Sequence, residues 1–186
     1  MTDTFLPTDY SVPDSSSGYF RFKQGENRFR VLGSAILGSE TWIEEDGSRK
    51  PLRFRMGEII PADKVGTDPK HFWAFVVWNY QEKKVQILEI TQKGIMKSIR
   101  ALTKDEDWGD PKKYDIVVTR EGEGMDTEYM VSSKPHKELE KAISDHYKSL
   151  EIDIEALYRG GDPFDPIKNK DEKDFKEVAD EEIPFS

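Results

Sequence analysis

Three histidines, His71, His136 and His146, are the obvious candidates for acid–base or metal chemistry, and none has the spacing for it. They are far apart, with no pattern such as HExxH, and they read as surface residues. Four acids, Asp105, Glu106, Asp107 and Asp110, lie close enough to suggest a divalent cation, as in nucleases. Acids in a loop after a helix are more simply solvated, so this reading ranks second. There is no GxxxxGK[ST] phosphate loop. Gly122 and Gly124 flank Glu123, which would repel phosphate, so they read as a turn. Without cysteine, disulfides, thiolate metal sites and a cysteine nucleophile are excluded. No cofactor and no metal is expected, and the chain reads as a non-enzyme.

Aromatic residues interleaved with basic ones are the stronger signal. They occur at Tyr19–Lys23, at Arg28-Phe29-Arg30, at Arg53-Phe54-Arg55 and along Phe72–Tyr80. Single-stranded nucleic acid offers bare base faces beside a row of phosphates, and such interleaving on a strand surface suits both. Alternation puts Phe72, Ala74, Val76, Trp78 and Tyr80 on one face, and Trp73, Phe75, Val77 and Asn79 on the other. Both faces are apolar, so at least one aromatic set must be core; the pattern leaves open which. Arg28 and Arg30 share a face opposite Phe29 and Val31, and Arg53 and Arg55 a face opposite Phe54, so all four are expected to be exposed. The candidate DNA-binding set is Arg28, Arg30, Arg53 and Arg55 for phosphates and Trp42, Phe72, Trp73, Phe75, Trp78 and Tyr80 for bases. Lys83 and Lys84 at a hairpin tip are added.

Charge supports this set. The net charge of −9 is uneven: residues 18–120 carry 19 Lys/Arg against 15 Asp/Glu, whereas residues 171–186 carry 2 against 7. A basic body with an acidic end occurs in proteins that handle nucleic acids. The end reads Asp180-Glu181-Glu182-Ile183-Pro184-Phe185, acids followed by an apolar hook. On a polar tether, such a tip can dock on a partner protein or compete with nucleic acid in cis.

The elements that must position these residues follow from periodicity. Short strands are expected at Tyr19–Lys23, Arg28–Leu37, Thr41–Ile43 and Leu52–Met56, then a long loop over 57–70. A hairpin of Phe72–Tyr80 and Val85–Thr91 comes next. Ile95, Ile99 and Leu102 imply a helix over 92–103. Strands follow at Tyr114–Arg120 and Glu128–Ser132, then a helix from His136 to Leu150, stopped near Gly160-Gly161. Strands, one helix, then a hairpin fit a mainly β five-stranded Greek-key barrel of the OB type, with Thr41–Met56 as an elaboration. The organisation expected is a flexible arm over 1–18, a domain over 19–158 and a disordered acidic tail over 159–186. No apolar run approaches a transmembrane length and no signal-peptide core is present, so a soluble, intracellular protein is expected.

Two stretches resemble known families. The C-terminal hook resembles the acidic tip of bacterial single-stranded DNA-binding proteins. The body, through Phe22–Arg30, Phe72–Trp78 and Asp107-Trp108-Gly109-Asp110-Pro111 before Tyr114, is similar to phage-type single-stranded DNA-binding proteins with an OB fold. The resemblance implies a protein that coats single strands in DNA replication, recombination and repair, of phage or prophage origin and acting in the host cytoplasm. It also implies a tail that recruits replication proteins or folds back over the DNA site. Ser186 follows Phe185, whereas the bacterial tip ends on phenylalanine. An adaptor without DNA binding and a metal-dependent nuclease are the alternatives.

Overall fold

A computed structural model describes Phe5 and residues 18–170 of the chain. The hook at Asp180, Glu181, Glu182, Ile183, Pro184 and Phe185 therefore lies outside the described residues.

The strands are β1 (Gly25–Val31), β2 (Ile36–Glu45), β3 (Ser48–Arg55), β4 (Lys70–Asn79), β5 (Lys84–Ile90), β6 (Asp115–Glu121) and β7 (Glu128–Ser133). The helices are α1 (Lys93–Lys104) and α2 (Lys141–Leu150), followed by a 3-10 segment, Ile154–Arg159. All seven strands join one antiparallel sheet in the order β3-β2-β4-β1-β6-β7, with β5 on the other side of β4. The five-stranded closed barrel is therefore corrected: the sheet has seven strands and β5 does not pair with β7.

Arg28–Leu37 is not one strand. It divides at Leu32–Ala35 into β1 and β2, which share one edge of β4. Gly33 lies in this division, where a Cβ would come 2.8 Å from the Tyr147 hydroxyl. Gly38 allows the next close approach, since a Cβ would run into the Phe54 carbonyl of β3. Tyr19–Lys23 does not form a strand either. Only Tyr19 bridges β5, with the Phe20 amide donating to the Ile87 carbonyl and the Ile87 amide to that of Gly18. Phe20 joins the main core, and Phe22 meets Tyr129 of β7 at 5.6 Å between ring centres. Residues 18–24 thus fill the seam that β5 and β7 leave open.

β4 is apolar on both faces because both are covered, as the long apolar run of a central strand requires. Phe75 and Val77 point into a core with Phe29, Leu88, Ile116 and the α1 residues Ile95, Met96 and Ile99. Phe72, Ala74 and Val76 point into a second core with Ile87 and Leu157, closed by Tyr147, Leu150, Tyr158 and Phe164. α1 matches its expected span, but α2 starts five residues later than His136. Residues 134–137 are instead tied to the body: the Lys134 amide donates to the Asp115 carbonyl and the Lys137 amide to the Lys113 carbonyl. His136 stacks on Tyr114.

The ordered body also passes the expected end of the domain. Gly160 caps the 3-10 segment in the left-handed region at φ 70°. Pro163 and Asn169 are buried, Phe164 packs on the second core, and the Asn169 amide side chain donates to the Asp162 carbonyl. Residues 159–170 are thus packed rather than disordered.

Candidate nucleic-acid interface

Arg28 and Arg30 do not form an exposed phosphate-binding face. Both turn onto Asp115 of β6: Arg30 Nε donates to Oδ1 at 2.6 Å and Arg28 Nη2 to Oδ2 at 2.6 Å. Tyr80 adds its hydroxyl to Oδ1 at 2.8 Å. Arg30 is only 1% exposed and also donates to the Lys137 carbonyl. Arg28 is half-buried and lies 5.1 Å above the Tyr80 ring. Burial alone would raise the Asp115 pKa. The hydrogen bonds from Arg28, Tyr80 and Arg30 outweigh it and hold the carboxyl below its usual value. Burial, and after it the same carboxylate, push the Tyr80 phenol up to about 12.

Arg53 is a second correction. The alternation of Leu52–Met56 points it outward, yet its side chain is 9% exposed, lying between Glu40 of β2 and Glu89 of β5. Nε donates to Glu40 at 3.1 Å and Nη2 to Glu89 at 2.6 Å. What lies beyond the outward face of β3 is the rest of the protein. Burial, followed by hydrogen bonding to Glu40, raises the Glu89 pKa to about 8, against the lowering effect of Arg53. The pair of carboxylates therefore retains a proton at neutral pH. Trp42 is drawn into the same network: its indole N–H donates to Glu40 at 2.9 Å and Arg49 covers its ring. Arg55 is exposed, as expected, but leans on the Tyr158 ring at 4.3 Å and pairs with Glu155.

The aromatic candidates separate in the same way. Phe72 and Phe75 are core residues and present no face for stacking. Trp73 is half-buried at the rim of the main core, its indole N–H donating to His71 Nε2 at 3.3 Å. His71 in turn contacts the Gly38 carbonyl through Nδ1. Trp78 and Tyr80 are half-buried beside α2.

Other residues come together along the border between the sheet and the C-terminal segment. A cleft of ≈ 480 Å³ is walled by Trp78, Tyr80, Lys83, Ile143 and His146. It shares Lys83 and His146 with a groove of ≈ 850 Å³ lined by Tyr19, Arg21, Lys84 and Phe164. That groove shares Tyr19, Gly160 and Gly161 with another of ≈ 710 Å³ that holds Lys50, Arg53, Phe54, Lys64 and Tyr158. The three adjoin to make one furrow with seven Lys/Arg and four Asp/Glu in its walls. Arg53 pairs with Glu40 and Glu89, and Lys50 with Glu45. Arg21, Lys64, Lys83 and Lys84 form no ion pair with another described residue.

Five of the twelve DNA-binding candidates, Arg53, Trp78, Tyr80, Lys83 and Lys84, thus line one feature. Tyr19, Arg21 and Lys64 join them without having been selected. The Tyr19–Lys23 interleaving pointed to the first two; nothing in the pattern marks Lys64, which reaches the furrow through the 57–69 loop. That loop is fastened to β2 by Thr67, whose amide donates to the Trp42 carbonyl.

The acids after α1 serve local turns: Asp105 Oδ1 accepts from the Asp107 amide, and Asp110 Oδ1 from the Lys112 amide. Among the described residues, no three His, Asp or Glu side chains are grouped to hold a metal ion. No described helix is long and apolar enough to cross a membrane. No protein-family model, curated protein or solved structure matches this chain.

Proposed function

We propose that this chain is a non-enzymatic single-stranded DNA-binding protein whose strand lies in the furrow between the β4–β5 hairpin, β3 and the C-terminal segment. The observation that carries the reading is the furrow itself. Cations that form no ion pair with another described residue, Arg21, Lys64, Lys83 and Lys84, alternate there with Tyr19, Phe54, Trp78 and Tyr80. A phosphate row needs the former and unstacked bases the latter. The strand order supports it: a bent first strand (β1 with β2), β4, β5, a helix, then β6 and β7 follow an OB-type Greek key. In this reading β3 is inserted and the closing seam is left unpaired. Coating of exposed strands in phage replication, recombination and repair, within the host cytoplasm, is the matching role, with partner proteins met through the acidic tail.

Titration with oligo-dT, followed by tryptophan fluorescence at several salt concentrations, tests it. Trp78 stands in the furrow, so quenching by bound bases is expected. Lys83→Ala with Lys84→Ala should reduce the slope of log affinity against log salt by about 1.4, since each neutralised phosphate contributes roughly 0.7 on single strands. Tyr19→Ala should cost about 1–3 kcal/mol of affinity, the usual worth of one stacked base. Absence of binding at low salt would leave the adaptor reading in its place, and magnesium-dependent loss of the labelled strand the nuclease reading.

A further inference from the structure

Away from the furrow, α1 carries an exposed row of cations. Lys93, Lys97, Arg100 and Lys104 recur at i, i+4, i+7 and i+11, one stripe about 16 Å long. None of the four is ion-paired with another described residue. At the C-terminal end of the stripe a pocket of ≈ 350 Å³ opens between α1 and the β1–β2 division, walled by Val31, Ala35, Trp73, Ile99, Thr103 and Pro111. A row of cations leading to an apolar pocket calls for an acidic segment that ends in a bulky apolar group. A nucleotide suits the pocket less well: its base edges would lose water against largely apolar walls, and its phosphate would meet Asp110, which lines the pocket with Ser34, Thr103 and Lys112.

We propose that this face is the docking site for the chain's own C-terminal segment, with Ile183 and Phe185 seated against Trp73. Glu182, Glu181 and Asp180 would lie in that order along Arg100, Lys97 and Lys93. The direction is fixed by charge: Asp105, Glu106, Asp107 and Asp110 crowd the far end of α1, so the acids of the segment run toward its N-terminus. Reach is sufficient. Lys170 Nζ lies 3.6 Å from Glu151 at the end of α2, one turn from Tyr147, which abuts Gly33 in the pocket wall. The fifteen residues from Lys170 to Phe185 span at most about 50 Å. Docking here leaves the furrow open, unlike a tail that folds back over the DNA site.

The test places p-benzoylphenylalanine at position 185 of the full chain, irradiates it and maps the crosslinks by mass spectrometry. The expected product is monomeric, with crosslinks to residues 31–35, 73 or 99–112. Its yield should fall at least fivefold in 0.5 M salt or with Lys97→Gln and Arg100→Gln, two exposed changes that keep helix propensity. Lys83→Ala with Lys84→Ala, and saturating oligo-dT, should leave it unchanged. Crosslinks to Tyr19, Lys83 or Lys84, crosslinks only between copies, displacement by oligo-dT, or no crosslink at all would each overturn the assignment. Loss of oligo-dT affinity on neutralising Lys97 and Arg100 would make the stripe a DNA contact and overturn it as well.

Discussion

Asp115→Ala is expected to lower stability by about 3–5 kcal/mol in urea denaturation, the usual loss when one partner of a buried charge pair is removed. Arg30 is the reason. Its guanidinium is buried, and Asp115 is the carboxylate it faces. Without Asp115 the charge cannot leave the interior, because β1 is fixed between β4 and β6. The Tyr80 hydroxyl loses its acceptor in the same step. Arg28→Ala should cost well under half as much, since that side chain is 39% exposed and water can replace the bond. Acid should reproduce part of the loss in the unaltered protein. The Asp115 pKa is depressed on folding, so its contribution is present above the ordinary value of 3.8 and disappears as pH falls through the folded value. Urea midpoints between pH 7 and pH 2 test the sign; a midpoint in Asp115→Ala equal to that of the parent would remove the Asp115 cluster from the account of stability.

Arg53→Met should be comparably damaging, with the opposite pH dependence. It leaves Glu40 and Glu89 facing each other without a cation, at about 3–5 kcal/mol once the pH is high enough for the pair to give up its proton. In the unaltered protein the Glu89 pKa is raised to about 8 from 4.5. Its contribution is therefore fully present below about pH 4.5 and lost as pH rises through about 8. Removing Arg53 takes away the one group that lowers that value, so the variant should go on losing stability between pH 8 and pH 9, where the parent's loss has levelled off. Denaturation at those two pH values measures it. Because the guanidinium already has two carboxylate partners, Arg53→Met in protein that remains folded should leave the salt dependence of oligonucleotide binding nearly unchanged. A drop in that slope like the one expected for Lys83 and Lys84 would return Arg53 to the phosphate contacts.

These two arginines also mark where the sequence stops being legible. Alternation over Leu52–Met56 marks the second half of β3, and periodicity gives α1 almost to the residue, but Phe54, read as inward, lines the furrow while Arg53 is buried. Periodicity, however, reports only which side chains share a face. Whether that face meets water depends on residues far away, here Glu40, Glu89 and Asp115, each paired through the tertiary fold. β4 was ambiguous for the same reason: a strand apolar on both faces is buried on both, and its second cover comes from residues 147–164, some 70 positions later. The β1–β2 division has no signal in the local pattern: it shows only in the two separate pairings with β4, and the Tyr147 ring that meets Gly33 lies more than 100 positions away. Of the furrow, the hairpin lysines were readable because a turn must be at the surface. Its far wall, the Gly160–Phe164 stretch, was not, since composition alone made it look like linker.

The short bridge from Tyr19 to β5 has a consequence for how this protein avoids its own copies. A sheet that fails to close keeps edge strands, here β3, β5 and β7, and an unguarded edge is a template for a strand from another molecule. On β5 the backbone groups of Ile87, at the middle of the strand, are occupied by Gly18 and Phe20. Phe20, buried in the core, holds that guard down. The segment before the first strand thus limits self-association through β5, and a chain beginning after Phe20 would offer that edge to its neighbours.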